Sequence, residues 1–416
     1  MSGGGGNGRP ELSQHGSPFN FDVLGGAATR AGRPVAVLDL TLEGDCEEMA
    51  GMALASEARL EIARRLDELG VARLAVLGNS PRPAPDEIAD AGRIAGLGLR
   101  AKVCSFAKTA EEIDTAADIG LWGTVILIGV NERFFAPGTT PRDVVDLGRR
   151  LTAHAKRRGL HTTIMAMDTT RANPLFVKSF LDGCADTTDE VVICDSIGVA
   201  SPWGFERLVG LVRDWTRKPI QVHCHNHTGV AVANALAAVR AGADIVHTAV
   251  NGWGEFAGQT ALEELAVALQ MHLGLSAGLR LDQLTGLSAY VAAAAGLPLP
   301  VNKPVTGAAA FAIPETEEIQ EAFSIAAAAG ELDAALTFPP AAVGNRVLMS
   351  MGRKCNRYTV AFALAELGLA ASADELERIA EGVRRCAGRQ RGHYLMAVDE
   401  FGSLLEEGGF AVSPLP

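Results

Sequence analysis

Short apolar runs rich in β-branched residues alternate with longer amphipathic stretches from about residue 34 to 273. The runs are PVAVLDLT (34–41), ARLAVLG (72–78), LRAKVCSF (99–106), GTVILIG (123–129), HTTIMAM (161–167), EVVICD (190–195), PIQVHCH (219–225) and ADIVHTAV (243–250). Each has the length and composition of a buried strand. Between them, segments such as ASEARLEIARRLDEL and TPRDVVDLGRRLTAHAKRRG place apolar residues three and four apart, which gives a helix one buried face. Eight strand–helix units in about 240 residues predict an α/β fold, a closed (β/α)8 TIM barrel. A doubly wound open sheet is the competing arrangement.

Beyond residue 275 the strand signal stops. The segments LDQLTGLSAYVAAAAG, ETEEIQEAFSIAAAAG and SADELERIAEGVRRCAGR have helical periodicity and are separated by Pro- and Gly-rich passages. The expected organisation is a flexible tail over 1–33, a barrel over 34–275, a linker and helix over 276–300, and a smaller helical C-terminal subdomain over 301–416.

Composition narrows the function. The chain is 48% hydrophobic with a net charge of −12, so nucleic acid and acidic membranes are not expected as main partners. No apolar run is long enough to span a bilayer. The opening MSGGGGNGRPELSQHGSP lacks a signal peptide's apolar core. Seven scattered cysteines without a CxxC pair suit reduced thiols, and a cytoplasmic location is expected.

Barrels of this kind carry their chemistry at the C-terminal ends of the strands. His223 and His225 end the seventh run two positions apart, so they share one strand face. Two neutral imidazoles near carboxylates would form a divalent metal site of mixed nitrogen and oxygen character, whereas alone they would be hydrogen-bonded strand-end histidines. Asp39, Asp45, Asp168, Asp195 and Glu255 follow or flank other strand ends and supply a candidate rim of acids. Arg171 either pairs with Asp168 or caps the barrel mouth. Cys224 is expected to face the surrounding helices, Trp203 and Trp253 to pack. The glycines of NGWGEFAG permit a tight turn that carries Glu255 to the mouth.

These residues are similar to a known family. The stretch HCHNHTGVAVANALAAVRAGADIVHTAVNGWGEFAGQTALEELAVAL resembles the second signature of the isopropylmalate synthase, homocitrate synthase and hydroxymethylglutaryl-CoA lyase superfamily (the DRE-TIM metallolyases). VVICDSIGVASP resembles its D-T-x-G-x-x-x-P strand, and MDTTRANPLF its E-D-x-x-R segment. NKPVTGAAAFA and VGNRVLMSMGRKCNR resemble the linker and helical subdomain of the synthase branch. The resemblance spans about residues 34 to 385.

It implies a divalent metal (Mg, Mn or Zn) and a Claisen-type condensation of acetyl-CoA with an α-keto acid, the metal polarising the keto carbonyl. It also implies a homodimer. Carried over by motif, His223 and His225 are metal ligands. Ser196 stands where a Thr contacts the keto-acid carboxylate, with Arg171 and Asp168 as companion substrate-binding candidates. Glu255, Asp45 and Asp195 are the catalytic candidates.

Departures from the pattern are concentrated in the reacting shell. TLEGDCE stands for T-L-R-[DE]-G-x-Q, so Glu43 replaces an arginine and Gly44 a metal-binding acid. Asp45 could supply the missing oxygen after a shift of the loop. Phe256 and Gln259 replace Arg and Asn, Gln259 offering the same amide oxygen as a metal ligand on a longer stem. His227 replaces an Asp, Met167 a Glu, and FAIPETEEI (311–319) stands where synthases carry a catalytic histidine. Three readings follow: a divergent metal-dependent acyltransferase, a metal-dependent carbon–carbon lyase or aldolase, and a pseudoenzyme serving as a binding partner.

Overall fold

A computed structural model describes residues 11–15, 17, 20, 35–43, 49–78, 84–314, 316–388 and 398–414. Asp45, with Gly44, Cys46 and Glu47, lies outside the described residues. The chain divides into two compact units, residues 1–299 and 300–416.

Unit one is built on eight parallel strands: β1 (Ala36–Asp39), β2 (Arg73–Leu77), β3 (Lys102–Ala107), β4 (Gly123–Gly129), β5 (His161–Met167), β6 (Glu190–Asp195), β7 (Ile220–Cys224) and β8 (Ile245–Thr248). Consecutive strands pair in order, and β8 pairs with β1 from Ala36↔Ile245 to Asp39↔Thr248, closing the barrel. The open-sheet alternative is thereby excluded. Some runs are trimmed at their ends. β3 begins at Lys102 rather than Leu99 because the Ala101 N–H donates to the Asp67 carboxylate at 2.7 Å, outside the ladder.

The amphipathic stretches form α1 (Ser56–Leu69), α2 (Pro85–Ala95), α3 (Ala110–Asp118), α4 (Pro141–Arg157), α5 (Pro174–Cys184), α6 (Pro202–Trp215), α7 (Ala231–Arg240) and α8 (Leu262–Ala268), followed by α9 (Leu284–Ala295). α4 shows why these sequences start helices where they do. Thr140 accepts from Asp143 N while the Asp143 carboxylate accepts from Thr140 N, and Pro141 occupies the first turn, where no N–H is needed. Among the described residues no helix is long and apolar enough to cross a membrane, and none of the six described cysteines forms a disulfide.

Leu38, Leu40, Ala75, Cys104, Phe106, Val125, Leu127, Met165, Val192, Cys194 and Ile245 fill the barrel interior. Strand alternation therefore turns Asp39 away from the interior. Its carboxylate accepts from Thr41 N (3.0 Å) and Thr248 Oγ1 (3.1 Å), which takes it out of the acidic rim expected at the mouth. Burial lifts its pKa from 3.8 to about 6 against those hydrogen bonds, with Glu263 adding to the rise.

The sign follows directly. A carboxyl whose folded pKa is raised contributes stability below about pH 4 that is lost as pH climbs through 6, about 3 kcal/mol at most. Asp39→Asn is thus expected to raise unfolding stability by about 2–3 kcal/mol at pH 7.5 and to change little at pH 4. Urea unfolding at both pH values checks this, and an equal change at the two would contradict it.

Unit two contains α10 (Glu317–Ala328), α11 (Arg357–Glu366), α12 (Ala373–Gly388) and α13 (Val398–Gly408), with two short two-stranded pairings. Its core gathers Val360, Leu364, Ile379, Ala380, Val383 and Phe401.

Candidate active site

Alternation along β7 sends Gln221, His223 and Cys224 to their respective sides, with Gln221, His223 and the following His225 on the interior side. His223 and His225 are both buried, their ring centroids 4.9 Å apart. Burial, with neighbouring imidazoles adding to it, pushes His223 well below the ordinary histidine range and His225 to about 4. Both rings are therefore neutral near pH 7, the form that ligates metals. His225 Nδ1 is fully buried with no hydrogen-bond partner. An orphaned buried imidazole nitrogen costs free energy unless something occupies its lone pair or takes its proton. His227 lies past the strand end and is exposed. Cys224 is buried outside the interior cluster.

The loop after β6 is closed from two sides. Asp195 accepts from Thr170 Oγ1 (2.8 Å), Val199 N (3.2 Å) and Ala200 N (3.1 Å), so its carboxylate organises this loop. Gly198, at φ +58°, lies against β7: a Cβ there would stand 2.8 Å from His225 O and 2.9 Å from His227 N. Only glycine fits. The D-S-x-G pattern thus positions the end of β7.

A second cluster joins the ends of β4, β5 and β6. Arg171 donates to both Asp168 oxygens, at 2.7 and 2.6 Å, which settles its role as a pair with Asp168. Asn131 Nδ2 donates to Asp168 Oδ2 at 2.6 Å, and Ser196 Oγ accepts from Asp168 N at 2.8 Å. Asp168 itself takes a left-handed backbone, φ 58°. This arrangement ties an exposed guanidinium and a serine hydroxyl to the same residue, Asp168.

The glycine-rich loop after β8 covers the histidines. Gly258 N donates to Glu255 O, Asn226 N donates to Gly258 O, and His225 bridges to Gln259. Phe256, at φ 55°, lays its ring 5.8 Å from His225 and 5.1 Å from His227 while remaining 73% exposed. Asn251 anchors the loop: its N–H donates to Glu263 Oε2, its Nδ2 to Ser288 O, and its Oδ1 accepts from Ser288 Oγ at 2.5 Å. Gln259 is buried, its amide packed against Gly254.

Glu43, where the sequence reverses a charge, is buried. Burial raises the Cys104 thiol to about 12 against the Arg73 cation, with Glu43 and Glu190 adding to the rise. Trp203 departs from expectation. It is 76% exposed because it sits in the first turn of α6, with its ring outside the helix's buried face of Phe205, Val209 and Val212.

Among the described residues no three His, Cys, Asp or Glu side chains gather closely enough to hold a metal ion. The donors present are the two neutral imidazoles, one carrying an orphaned nitrogen, and the Gln259 amide, whose backbone bridges to that of His225. That set fits a borderline divalent cation whose remaining ligands are oxygens. Sequence reading missed two participants and the role of a third. His247 and Gln221 share the interior with His223, and period-two parity would have found them. Phe256 as a cover for His225 carried no sequence signal.

Comparison with known proteins bears on this arrangement. Residues 35–291 match the HMGL-like family model. The chain is 30% identical over 383 residues to homocitrate synthase AksA of Methanothermobacter thermautotrophicus, covering 91% of this chain and 94% of the relative. It is 30% identical over 354 residues to (R)-citramalate synthase CimA of Methanocaldococcus jannaschii, covering 84% and 70%. Among solved structures, HMG-CoA lyase from Brucella melitensis superposes with a TM-score of 0.56 at 17% identity, covering 64% of this chain and all of the lyase.

Proposed function

The chain belongs to the HMGL-like family, and on that premise we propose that it is a divergent metal-dependent acyltransferase condensing acetyl-CoA with an α-keto acid. The observation that carries this reading is the pair of buried neutral imidazoles at the end of β7, one with an orphaned nitrogen, under a glycine-rich loop. Relatives at about this identity are named citramalate, homocitrate and isopropylmalate synthases. The cofactor would be Mg, Mn or Zn, held by His223 and His225 with Gln259 and Asp45 as oxygen donors. Bound there, it would polarise the keto carbonyl as a Lewis acid.

The chain's own residues do the rest. Arg171, held by an Asp168 carboxylate that Asn131 also engages, presents its guanidinium to the keto-acid carboxylate. Ser196, tied to the Asp168 backbone, places a hydroxyl beside it. Glu255 is the base that removes a proton from the acetyl methyl. Asp195 acts as a positioning residue, because its oxygens are engaged within its own loop. Phe256 shields the histidines from water. A dimer in the cytoplasm completes the reading.

A second reading is favoured by one observation. Glu43 puts a buried carboxylate where a site binding anions gains from a cation, which suits a barrel retained for binding rather than chemistry. Free-thiol release from acetyl-CoA separates the readings. With Mn(II) and a panel of α-keto acids from pyruvate to 2-oxoglutarate, thiol release that requires both cosubstrates is the expected result. Keto-acid release from a hydroxy acid without acyl-CoA consumption would indicate a lyase, and neither activity in metal-loaded protein would leave the binding reading.

A further inference from the structure

A column of buried polar groups runs through the barrel interior to His223. Arg73 donates to both oxygens of Glu190, at 2.6 and 2.8 Å. Gln221 Nε2 donates to Glu190 Oε2 at 2.5 Å. Gln221 Oε1 lies 2.7 Å from His247 Nε2, and His247 Nδ1 lies 3.3 Å from His223 Nδ1. Glu190, Gln221, His223 and His247 are all buried, and the four come from three adjacent strands, β6 to β8.

Each link fixes the direction of the next. Burial would raise the Glu190 pKa, but hydrogen bonds from Arg73 and His161 outweigh it and hold it at about 2, so this carboxylate only accepts. The Gln221 amide must then turn its NH2 toward Glu190 and its oxygen toward His247. That oxygen can only accept, so His247 carries its proton on Nε2. His247 is fully buried in the barrel interior, on a column that already holds the Arg73 cation, so its ring stays neutral. A neutral ring protonated on Nε2 has only a lone pair on Nδ1. His223 must therefore donate from its own Nδ1.

We propose that His247 is a positioning residue, and that the column Arg73–Glu190–Gln221–His247 locks His223 in the Nδ1–H tautomer, making Nε2 its acceptor nitrogen. The neutral histidine side chain in water prefers its proton on Nε2, so the barrel interior reverses an intrinsic preference. As an account of metal ligation this rests on the function proposed above. As an account of the tautomer it rests on the hydrogen bonds and the burial of the column. Outer partners of ligating histidines fix ring and tautomer in this way, and their loss costs about 10–100-fold in metal affinity.

The test is two-bond 15N–1H NMR on metal-stripped full-length protein labelled at histidine, with the His223 signals assigned by their absence in His223→Ala. Wild type is expected to show His223 protonated on Nδ1 alone. His247→Gln, which keeps an acceptor for His223 and a donor for Gln221, is expected to retain that state. His247→Phe is expected to shift the proton to Nε2 and to weaken Mn(II) binding about 10–100-fold. Should His247→Phe not fold, Gln221→Leu breaks the same column one link away and is expected to give a mixture of tautomers. Wild-type His223 protonated on Nε2 would overturn the proposal, as would an unchanged tautomer in the folded His247→Phe or Gln221→Leu protein. Wild type with the Nδ1–H signature but no Mn(II) binding would uphold the column and remove the metal reading of the site.

Discussion

His223→Ala is expected to abolish stoichiometric divalent-metal binding and to lower the condensation rate by more than the roughly 10–100-fold that loss of an outer partner costs. The expectation follows from the burial of the site. His223 and His225 are the two buried imidazoles offered as ligands at the end of β7, and a single remaining ligand imidazole leaves a first-row dication mostly to water. The substitution also removes the donor to His247, whose Nδ1 is then left buried without its partner, so some loss of stability is expected as well. Metal content and thiol release measured on the same folded preparation separate the two effects. Full metal occupancy in His223→Ala would place the metal elsewhere.

Gly258→Ala has the second largest expected effect. The residue adopts φ +81°, and a Cβ there would stand 2.0 Å from the Gly252 carbonyl oxygen. Neither partner is a flexible side chain, so the loop from Gly252 to Gln259 must open. With it go the Asn226 N to Gly258 O bond and the position of Phe256 over His225. Activity is expected to fall on the order of 100-fold, since small misplacements of a reacting group have costs of that order. The barrel should remain folded, as its own ladder of strands does not include this loop. Circular dichroism at wild-type strength with activity lost is the expected pair of results. Near wild-type activity would show that the loop's conformation does not matter to the site.

Much of this molecule was legible in the order of its residues. Eight β-branched runs separated by amphipathic segments led to the barrel because parallel strands buried on both faces leave that signature. The site was legible in part. His223 and His225 stood out because two imidazoles two apart must share a strand face. The same parity, applied to Leu38 and Leu40, would have turned Asp39 outward, and applied along β7 and β8 it would have brought in Gln221 and His247.

Other features depend on long-range contacts that no local pattern encodes. Asp195 reads as a rim acid, and its engagement by Thr170, Val199 and Ala200 depends on how two loops fold back. Trp203 reads as a packing residue, and its exposure follows from the rotation of α6 about its axis. Arg171 left two choices open, and only the bidentate geometry to Asp168 decides between them.

The central claim is that two neutral imidazoles at the end of β7 help to hold a divalent cation in a barrel whose acidic motif has been rewritten. Calorimetric titration of chelator-treated wild-type protein with Mn(II) tests it most directly. One site per chain, absent in His223→Ala, is the result this account expects. No binding by folded wild-type protein would contradict it.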